Sequence, residues 1–598
     1  MTDQTHLVQD GDSCWLVVLG ETISPSTSAR VHAFRRAVEE IHPAWLIETV
    51  PGYCTLGLVI HPLQVSCKEV ESLVSECAQS ITAELPGPVR TLTIPVCYGG
   101  PDGPDMETVC RHAGLSEQEV VRRHAGVDYQ CAMLGFLPGF PYLTGLDEQL
   151  ATPRLATPRT SVPAGSVGIA GEQTGIYPVA SPGGWNIIGR TPLTLFDPSR
   201  RQPSLVQPGD LVHFVPISRR ELEGQHAHAS AGHPQTYSVS GHEDGGCEVL
   251  EPGVMTTVQD GGRWGLQHVG VPASGAMDRQ ALALGNVLVG NEEGAAALEV
   301  TLSGPTLRFA QDALVALVGT DMHLQVDERD CPAWTAVPVR SGGILSVGSA
   351  TETGCRSWLC VAGGIDVPEV LGSRSTLLRV ALGGFAGRAL KAGDRLPLLP
   401  LREEARRLEG LSCPVTLRLS PATDEPVPVL PGPQLQSLAL PARQAFLETT
   451  WTTSSKGDRM GLRLEGPALR LSGGPDVISE VVPEGAIEVS GSGMPIIMLA
   501  DHQTTGGYVK PFVVASAALG QLAQRLPGDP IRFRLCTPDE ARQMLADQSM
   551  ARDQMTRQRA AWRRQRSGGI LQVSVNGTGH TVEWQEVTPL EVDDEHHG

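Results

Sequence analysis

Between Gly135 and Thr191 the chain places proline or glycine every few residues. The run is Gly135-Phe136-Leu137-Pro138-Gly139-Phe140-Pro141-Tyr142-Leu143, then Pro153-Arg154, Pro158-Arg159, Val162-Pro163-Ala164-Gly165, Ile176-Tyr177-Pro178, Ser181-Pro182-Gly183-Gly184-Trp185 and Gly189-Arg190-Thr191. Proline removes a backbone donor and glycine admits positive φ, so a helix is excluded and short strands joined by tight turns are expected. Aromatic and cationic side chains are interleaved with the turns. Phe136, Phe140, Tyr142, Tyr177 and Trp185 offer apolar walls, while Arg154, Arg159 and Arg190 offer rigid forks for a carboxylate or phosphate. The pattern predicts a pocket for a small anion, although glycines serving only the backbone of a barrel rim would leave a similar trace.

A chain of 598 residues is too long for one hydrophobic core and predicts roughly three to five domains. With 46 basic against 66 acidic residues the net charge is -20, which disfavours nucleic acid and anionic membranes and favours small molecules or proteins as partners. Thirteen cysteines, an odd number without a CxxC pair, do not form a disulfide framework. The first twenty residues lack the flanks of a signal peptide and no apolar run is long enough to span a bilayer, so a cytoplasmic protein is expected.

Taken in order, residues 1–88 read as a small α+β domain. A strand at 14–23 precedes a helix capped by Ser28, two strands about Pro51-Gly52 follow, and a second helix runs from Cys67 to Leu85. Residues 89–218 hold a strand at 91–98, the capping box Ser116-Glu117-Gln118-Glu119, the turn-rich motif, and a closing Pro208-Gly209-Asp210 turn with its strand. Residues 219–246 are Gly-, Ser-, His- and Glu-rich and read as a flexible linker. Its His226, His228, His233 and His242 are poor metal-ligand candidates, because ligands need rigid placement.

Residues 247–402 and 403–540 read as two further β modules, and 541–598 as a helix plus a hairpin about Asn576-Gly577. Self-comparison supports related modules. Val162-Pro163-Ala164-Gly165-Ser166-Val167 matches Val482-Pro483-Glu484-Gly485-Ala486-Ile487, and each is followed by a Pro-Gly-Asp turn, at Pro208 and Pro527. A fainter copy pairs Gly342-Gly343-Ile344 with Gly393-Asp394, and Arg263-Trp264-Gly265-Leu266 echoes Arg459-Met460-Gly461-Leu462. That repetition assigns Arg263 and Arg459 a structural role, since one active site seldom needs the same residue twice.

The runs GFLPGFPYLTGL, PRLATPR, VPAGSVGIAGEQTGIYP, SPGGWNIIGRTP and PGDLVHF resemble the allophanate hydrolase subunit 1 family, which includes the B subunit of 5-oxoprolinase. The runs VQDGGRWGLQHVGVPASGAMD, GDRMGLRLEGP and DHQTTGGYVK resemble the subunit 2 family, which includes the C subunit of 5-oxoprolinase. Both also resemble the carboxyltransferase region of urea carboxylase. The resemblance implies a mainly β fold of cyclophilin-like barrels, one in the first half and two in the second, and a small α+β N-terminal domain. It further implies a fused component that, with a separate A subunit, uses ATP, with magnesium, to open 5-oxoproline to glutamate. No Walker-A motif is present and no Met-Lys-Met biotinyl site follows the hairpin, so a nucleotide site would be of another type and biotin is not expected on this chain. A biotin-dependent carboxyltransferase for urea or a related amide, and a histidine-kinase inhibitor, are the competing expectations. A homo-oligomer is left open.

The candidate site residues follow from chemistry. Arg154, Arg159 and Arg190, with Phe140, Tyr142 and Trp185, are expected to bind substrate. Asp501 and His502 are candidates for general base or metal contact, and Lys510 for charge on a phosphoryl oxygen. Thr504, Thr505, Gly506 and Gly507 are candidates for nucleotide donors in a turn. Asp260 and Asp278 are weaker candidates.

Overall fold

The computed structural model describes residues 5–81, 90–229, 245–350, 354–418, 425–565, 568–575 and 578–585. The N-terminal domain is a four-stranded sheet in the order His6–Gln9, Cys14–Val18, Thr55–Ile60, Leu46–Pro51, with helices Pro25–Ile41 and Cys67–Ser80 packed on one face. The first helix begins earlier than expected. Ser24, not Ser28, is its N-cap, accepting the Thr27 amide at 3.1 Å, and Pro25 supplies a fixed φ at the first helical position. The second carries a reciprocal capping box between Ser66 and Glu69.

The turn-rich motif belongs to a closed barrel of seven strands, in which Gln173–Ile176, Pro141–Thr144, Asp128–Leu134, Leu211–Pro216, Thr91–Tyr98, Asn186–Arg190 and Ser166–Ala170 follow one another around the wall. Branched and aromatic residues such as Ile94, Val167, Ile188 and Phe214 fill its interior. His124 sits there as a core residue, bonded to Tyr98 and Thr174 and stacked on Phe214 at 4.7 Å, and burial pulls its pKa down to about 3. A helix, Arg219–Ala229, replaces the first part of the expected linker. Ser218 and Glu221 cap it reciprocally, a signal masked in the sequence by the polar surroundings. His233 and His242 and the side chains of His226 and His228 lie outside the described residues.

In the second half, a six-stranded and a five-stranded sheet close over one apolar core. The next module is a nine-stranded sheet whose interior stacks Phe446 between Phe512 and Phe533, at 4.6 and 4.7 Å. Helix Arg279–Val289, started by the Asp278 N-cap and stopped by Gly290 at φ 89°, is buried all round because it lies between these two modules. The repeated sequence pairs occupy matching places. Gly165 and Gly485, at φ 80° and 86°, each turn the chain into a barrel strand. The Pro-Gly-Asp turns lead to Leu211–Pro216 and Phe533–Leu535, each pairing parallel with an early strand of its own barrel, Thr91–Tyr98 and Val427–Pro431.

The halves are joined by buried polar contacts spanning most of the chain. Glu48 accepts the Gly265 amide at 3.0 Å and the Gln267 amide and side chain at 2.7 and 2.9 Å. Asp12 accepts the Ser516 amide and hydroxyl at 3.0 and 2.6 Å. The segment read as a tail begins with a packed helix, Pro538–Gln565. Arg542 reaches the Val65 carbonyl of the N-terminal domain, Gln548 the Ala517 carbonyl, and Arg552 the Gln280 side chain, so this helix ties three bodies together. The terminal strands Gly568–Val575 and Thr578–Gln585 form the expected antiparallel hairpin, and its turn at Asn576-Gly577 lies outside the described residues.

Candidate functional site

A cavity of about 430 Å³ opens where the N-terminal domain, both modules of the second half and the C-terminal helix meet. Its size suits a small ligand, and its walls mix apolar side chains with a few charged ones. His502 lines it from the turn after Asp501 and is 3 % exposed. Its Nδ1 lies 2.8 Å from the Gln503 carbonyl oxygen. A carbonyl only accepts, so Nδ1 carries the proton and Nε2 of the neutral ring keeps its lone pair. Burial lowers the imidazole pKa below its ordinary value, more than nearby Glu484 raises it. The ring is therefore a neutral base at physiological pH.

Two arginine–carboxylate pairs flank the same space. Arg279 donates to Glu484 at 2.7 Å and to the Ser274 carbonyl at 3.1 Å, with its guanidinium 5.2 Å over the Trp264 ring. Arg552 lies 3.0 Å from Glu293 and donates to Gln280 at 2.5 Å. Asp278, buried at the start of its helix and approached closely by Gly520, has its pKa pushed up to about 6 by burial against the opposing helix amides. Base, cations and carboxylates thus face one cavity from five separate stretches of chain, at Asp278-Arg279, Glu293, Glu484, His502 and Arg552. Among the described residues no group of three or more His, Cys, Asp or Glu is placed to hold a metal by itself.

Comparison with known proteins settles the lineage. Residues 5–206 match the model described as carboxyltransferase domain, subdomain C and D, and residues 269–535 match subdomain A and B. The chain is 37% identical over 318 residues to the C subunit of 5-oxoprolinase from Escherichia coli, covering 53% of this chain and 98% of that protein. It is 40% identical over 235 residues to the B subunit of 5-oxoprolinase from Bacillus subtilis, covering 37% of this chain and 96% of that protein. The chain belongs to the family of 5-oxoprolinase B and C subunits, joined here in one polypeptide. The crystal structure of TTHA0988 superposes with a TM-score of 0.76 at 33% identity, covering 87% of this chain and 99% of that one. The B-like and C-like halves expected from the motifs are both present.

Of the residues singled out from sequence, His502 and the weaker candidate Asp278 line the cavity. Asp260 does not, and is held instead by the Ser373 hydroxyl at 2.7 Å and the Arg374 amide at 2.6 Å. Asp501 points to Arg459, which it meets at 2.9 and 3.2 Å, and Arg459 also holds Glu299 at 2.5 Å and the Gly275 carbonyl at 2.6 Å. That network carries out the structural role assigned to Arg459, and Arg263 is likewise buried against the Val370 and Ser375 carbonyls. Lys510 is not available to a phosphate. An ammonium has three donors, and Asp10 at 2.5 Å, the Val481 carbonyl at 2.5 Å and Glu480 at 3.1 Å take them. The two carboxylates hold it charged despite full burial, raising its pKa. Nor is Thr504-Thr505-Gly506-Gly507 a turn. It opens the strand Thr505–Val514, whose neighbour Asp476–Val481 pairs Glu480 with Gly506 and Val481 with Thr505.

In the B-like half the three arginines part company. Arg159 forms a bidentate pair with buried Asp105 at 2.8 and 2.7 Å, and Arg190 donates to the Ala164 carbonyl at 3.0 Å. Arg154 stays exposed and has no such partner among the described residues. Phe140, Tyr142 and Trp185 pack on one another with centroids 4.9 to 6.0 Å apart, so they form a core cluster rather than open walls. Arg279, Glu484 and Arg552 escape sequence reasoning. Glu484 stands inside the repeated Val-Pro-x-Gly turn, where the first copy has Ala164, and that difference between copies is the available signal. Arg552 has none, being one of many polar residues on a long helix.

Proposed function

We propose that this chain is the fused B and C component of an ATP-dependent 5-oxoprolinase, acting with a separate A subunit to open 5-oxoproline to glutamate. The observation that carries the reading is the cavity walled jointly by the B-like and C-like halves, with a neutral base and two guanidinium groups in its lining. A five-membered lactam is a poor electrophile, and transfer of the γ-phosphoryl group to its carbonyl oxygen, with ADP leaving, converts that oxygen into a leaving group. In this reading His502 Nε2, with its lone pair free in the cavity lining, would take the lactam N–H proton as the carbonyl oxygen attacks phosphorus. Arg279 and Arg552 would balance the charge of the substrate carboxylate and the phosphoryl oxygens. Magnesium arriving with the nucleotide needs only one or two protein carboxylates. Asp278, Glu293 and Glu484 around the cavity fit that need, and the ion would neutralise phosphate charge.

The test is oxygen tracing. With 5-oxoproline labelled at the lactam oxygen, the chain and saturating ATP should yield labelled phosphate even without the A subunit, and glutamate once it is added. Unlabelled phosphate, or no ATP turnover, defeats the reading. The match to carboxyltransferase subdomains favours one rival, transfer of a carboxyl group from biotin on another protein to an amide. Carboxylation that depends on a biotinylated partner and is blocked by avidin would establish it instead.

A further inference from the structure

Ser274 follows Ala273 of the cavity wall and is completely buried. Its φ is 54°, in the left-handed region that a residue with a Cβ adopts at a cost. Its hydroxyl has no hydrogen-bond partner among the described residues, and a buried polar group left unpaired is a second cost. The surrounding chain imposes the conformation. The Arg263 amide donates to the Ala273 carbonyl at 2.5 Å and the Ala276 amide to the Asp260 carbonyl at 3.0 Å, which pins the backbone on either side of Ser274. A Cβ on Gly275 would stand 2.8 Å from the Gly262 backbone, so the two turns are pressed together.

That fixed backbone joins the base and one of the cations in the cavity lining. The Ser274 amide donates to the Ala500 carbonyl at 3.0 Å, two residues before His502. Its carbonyl accepts Arg279 Nη2 at 3.1 Å, while Arg279 Nη1 donates to Glu484 at 2.7 Å. Arg279 Nε is buried and, like the Ser274 hydroxyl, has no partner among the described residues. A donor and an acceptor therefore stay unmade on two residues that already touch. With Glu484 as its counter-ion the Arg279 charge is met, and a ligand anion takes that charge only by displacing the carboxylate. The Trp264 ring, 5.2 Å from the guanidinium, offers a flat face on which the planar group turns without losing its cation–π contact.

We propose that Ser274 is a positioning residue for Arg279. When a phosphoryl-bearing anion replaces Glu484, the guanidinium turns on the Trp264 face and its Nε–H donates to the Ser274 hydroxyl oxygen. The amide of the same residue holds the His502 turn, so base and cation keep one spacing about the ligand. The proposal rests on the oxoprolinase reading for the identity of that anion, and adds to it a residue that touches no ligand itself.

The experiment is calorimetric titration of the full chain with a non-hydrolysable ATP analogue and magnesium, read beside steady-state turnover and chemical unfolding. Ser274→Ala loses only the hydroxyl, and Ser274→Gly also relieves the backbone. Both should bind the analogue roughly 10- to 100-fold more weakly, the loss of a hydrogen bond to a charged group. KM for ATP should rise in step, with kcat little changed. Neither variant should unfold more easily than wild type, because the hydroxyl is unpaired in the free chain, and Ser274→Gly should be the most stable of the three. Unchanged affinity in Ser274→Ala overturns the proposal, as does affinity restored in Ser274→Gly, which would assign the effect to the backbone. A lowered unfolding midpoint in Ser274→Ala, or kcat falling with KM unmoved, marks a merely structural role and overturns it too. A wild-type chain that binds no analogue refutes it outright. One that binds the analogue but moves no lactam oxygen to phosphate defeats the oxoprolinase reading, and the affinity of Ser274→Ala still decides the role of Ser274.

Discussion

The B-like barrel and the second module of the C-like half share the same turn and the same parallel strand pairing, yet treat their charged residues differently. In the first, Arg159 and Arg190 are satisfied locally by residues of the same barrel, and Arg154 is left at the rim. In the second, Arg459 and Lys510 are buried and reach outside their module, to Glu299 of the neighbouring module and Asp10 of the N-terminal domain. The copy that must hold other domains puts its cations into the seams between them. The copy that closes on itself keeps one cation for solvent. A motif rich in charge is therefore not evidence of a site until the partners of each charge are known.

That contrast can be broken most severely at Arg459. Its replacement by alanine strands Glu299 and Asp501 in the buried seam and should cost about 3–5 kcal/mol, a large part of a domain's stability. Chemical unfolding would measure it, and a loss below about 1 kcal/mol would mean the seam tolerates water. His502→Ala should leave unfolding nearly unchanged but reduce ATP- and 5-oxoproline-dependent turnover by about 10²–10⁴-fold. Its pH profile sharpens the test. The folded imidazole has a lowered pKa, so the base stays unprotonated as pH falls past the usual histidine value, and the wild-type acid limb should lie below about 6.5. An acid limb above that value would require another base. The smallest effect is expected at Arg159. Its pair with Asp105 is partly exposed, so Arg159→Ala should cost about 1 kcal/mol in unfolding and leave the Michaelis constant for 5-oxoproline unchanged. A large rise in that constant would return Arg159 to the substrate clamp that the motif suggested.

Much of the fold is legible in the order of residues alone. The spacing of proline and glycine marks the turns, the Asp278–Gly290 bounds mark the helix between the C-like modules, and the paired Val-Pro-x-Gly and Pro-Gly-Asp segments mark equivalent barrel positions. The candidate site is legible only at His502 and, more faintly, at Asp278. Asp501 and Lys510 carry the same kind of side chain that catalysis uses, and nothing within ten residues of either reveals that Arg459, Glu480 and Asp10 already hold them.

The sequence by itself determined where the backbone turns, which segments become strands, and the family to which both halves belong, because those preferences act within a few residues. Only the tertiary structure decided which charges remain open to a ligand. Lys510 meets Asp10 from 500 positions away, and the C-terminal helix brings Arg552 to the cavity across 272 positions from Gln280. Coulombic partnership depends on distance in space, which turn chemistry does not encode.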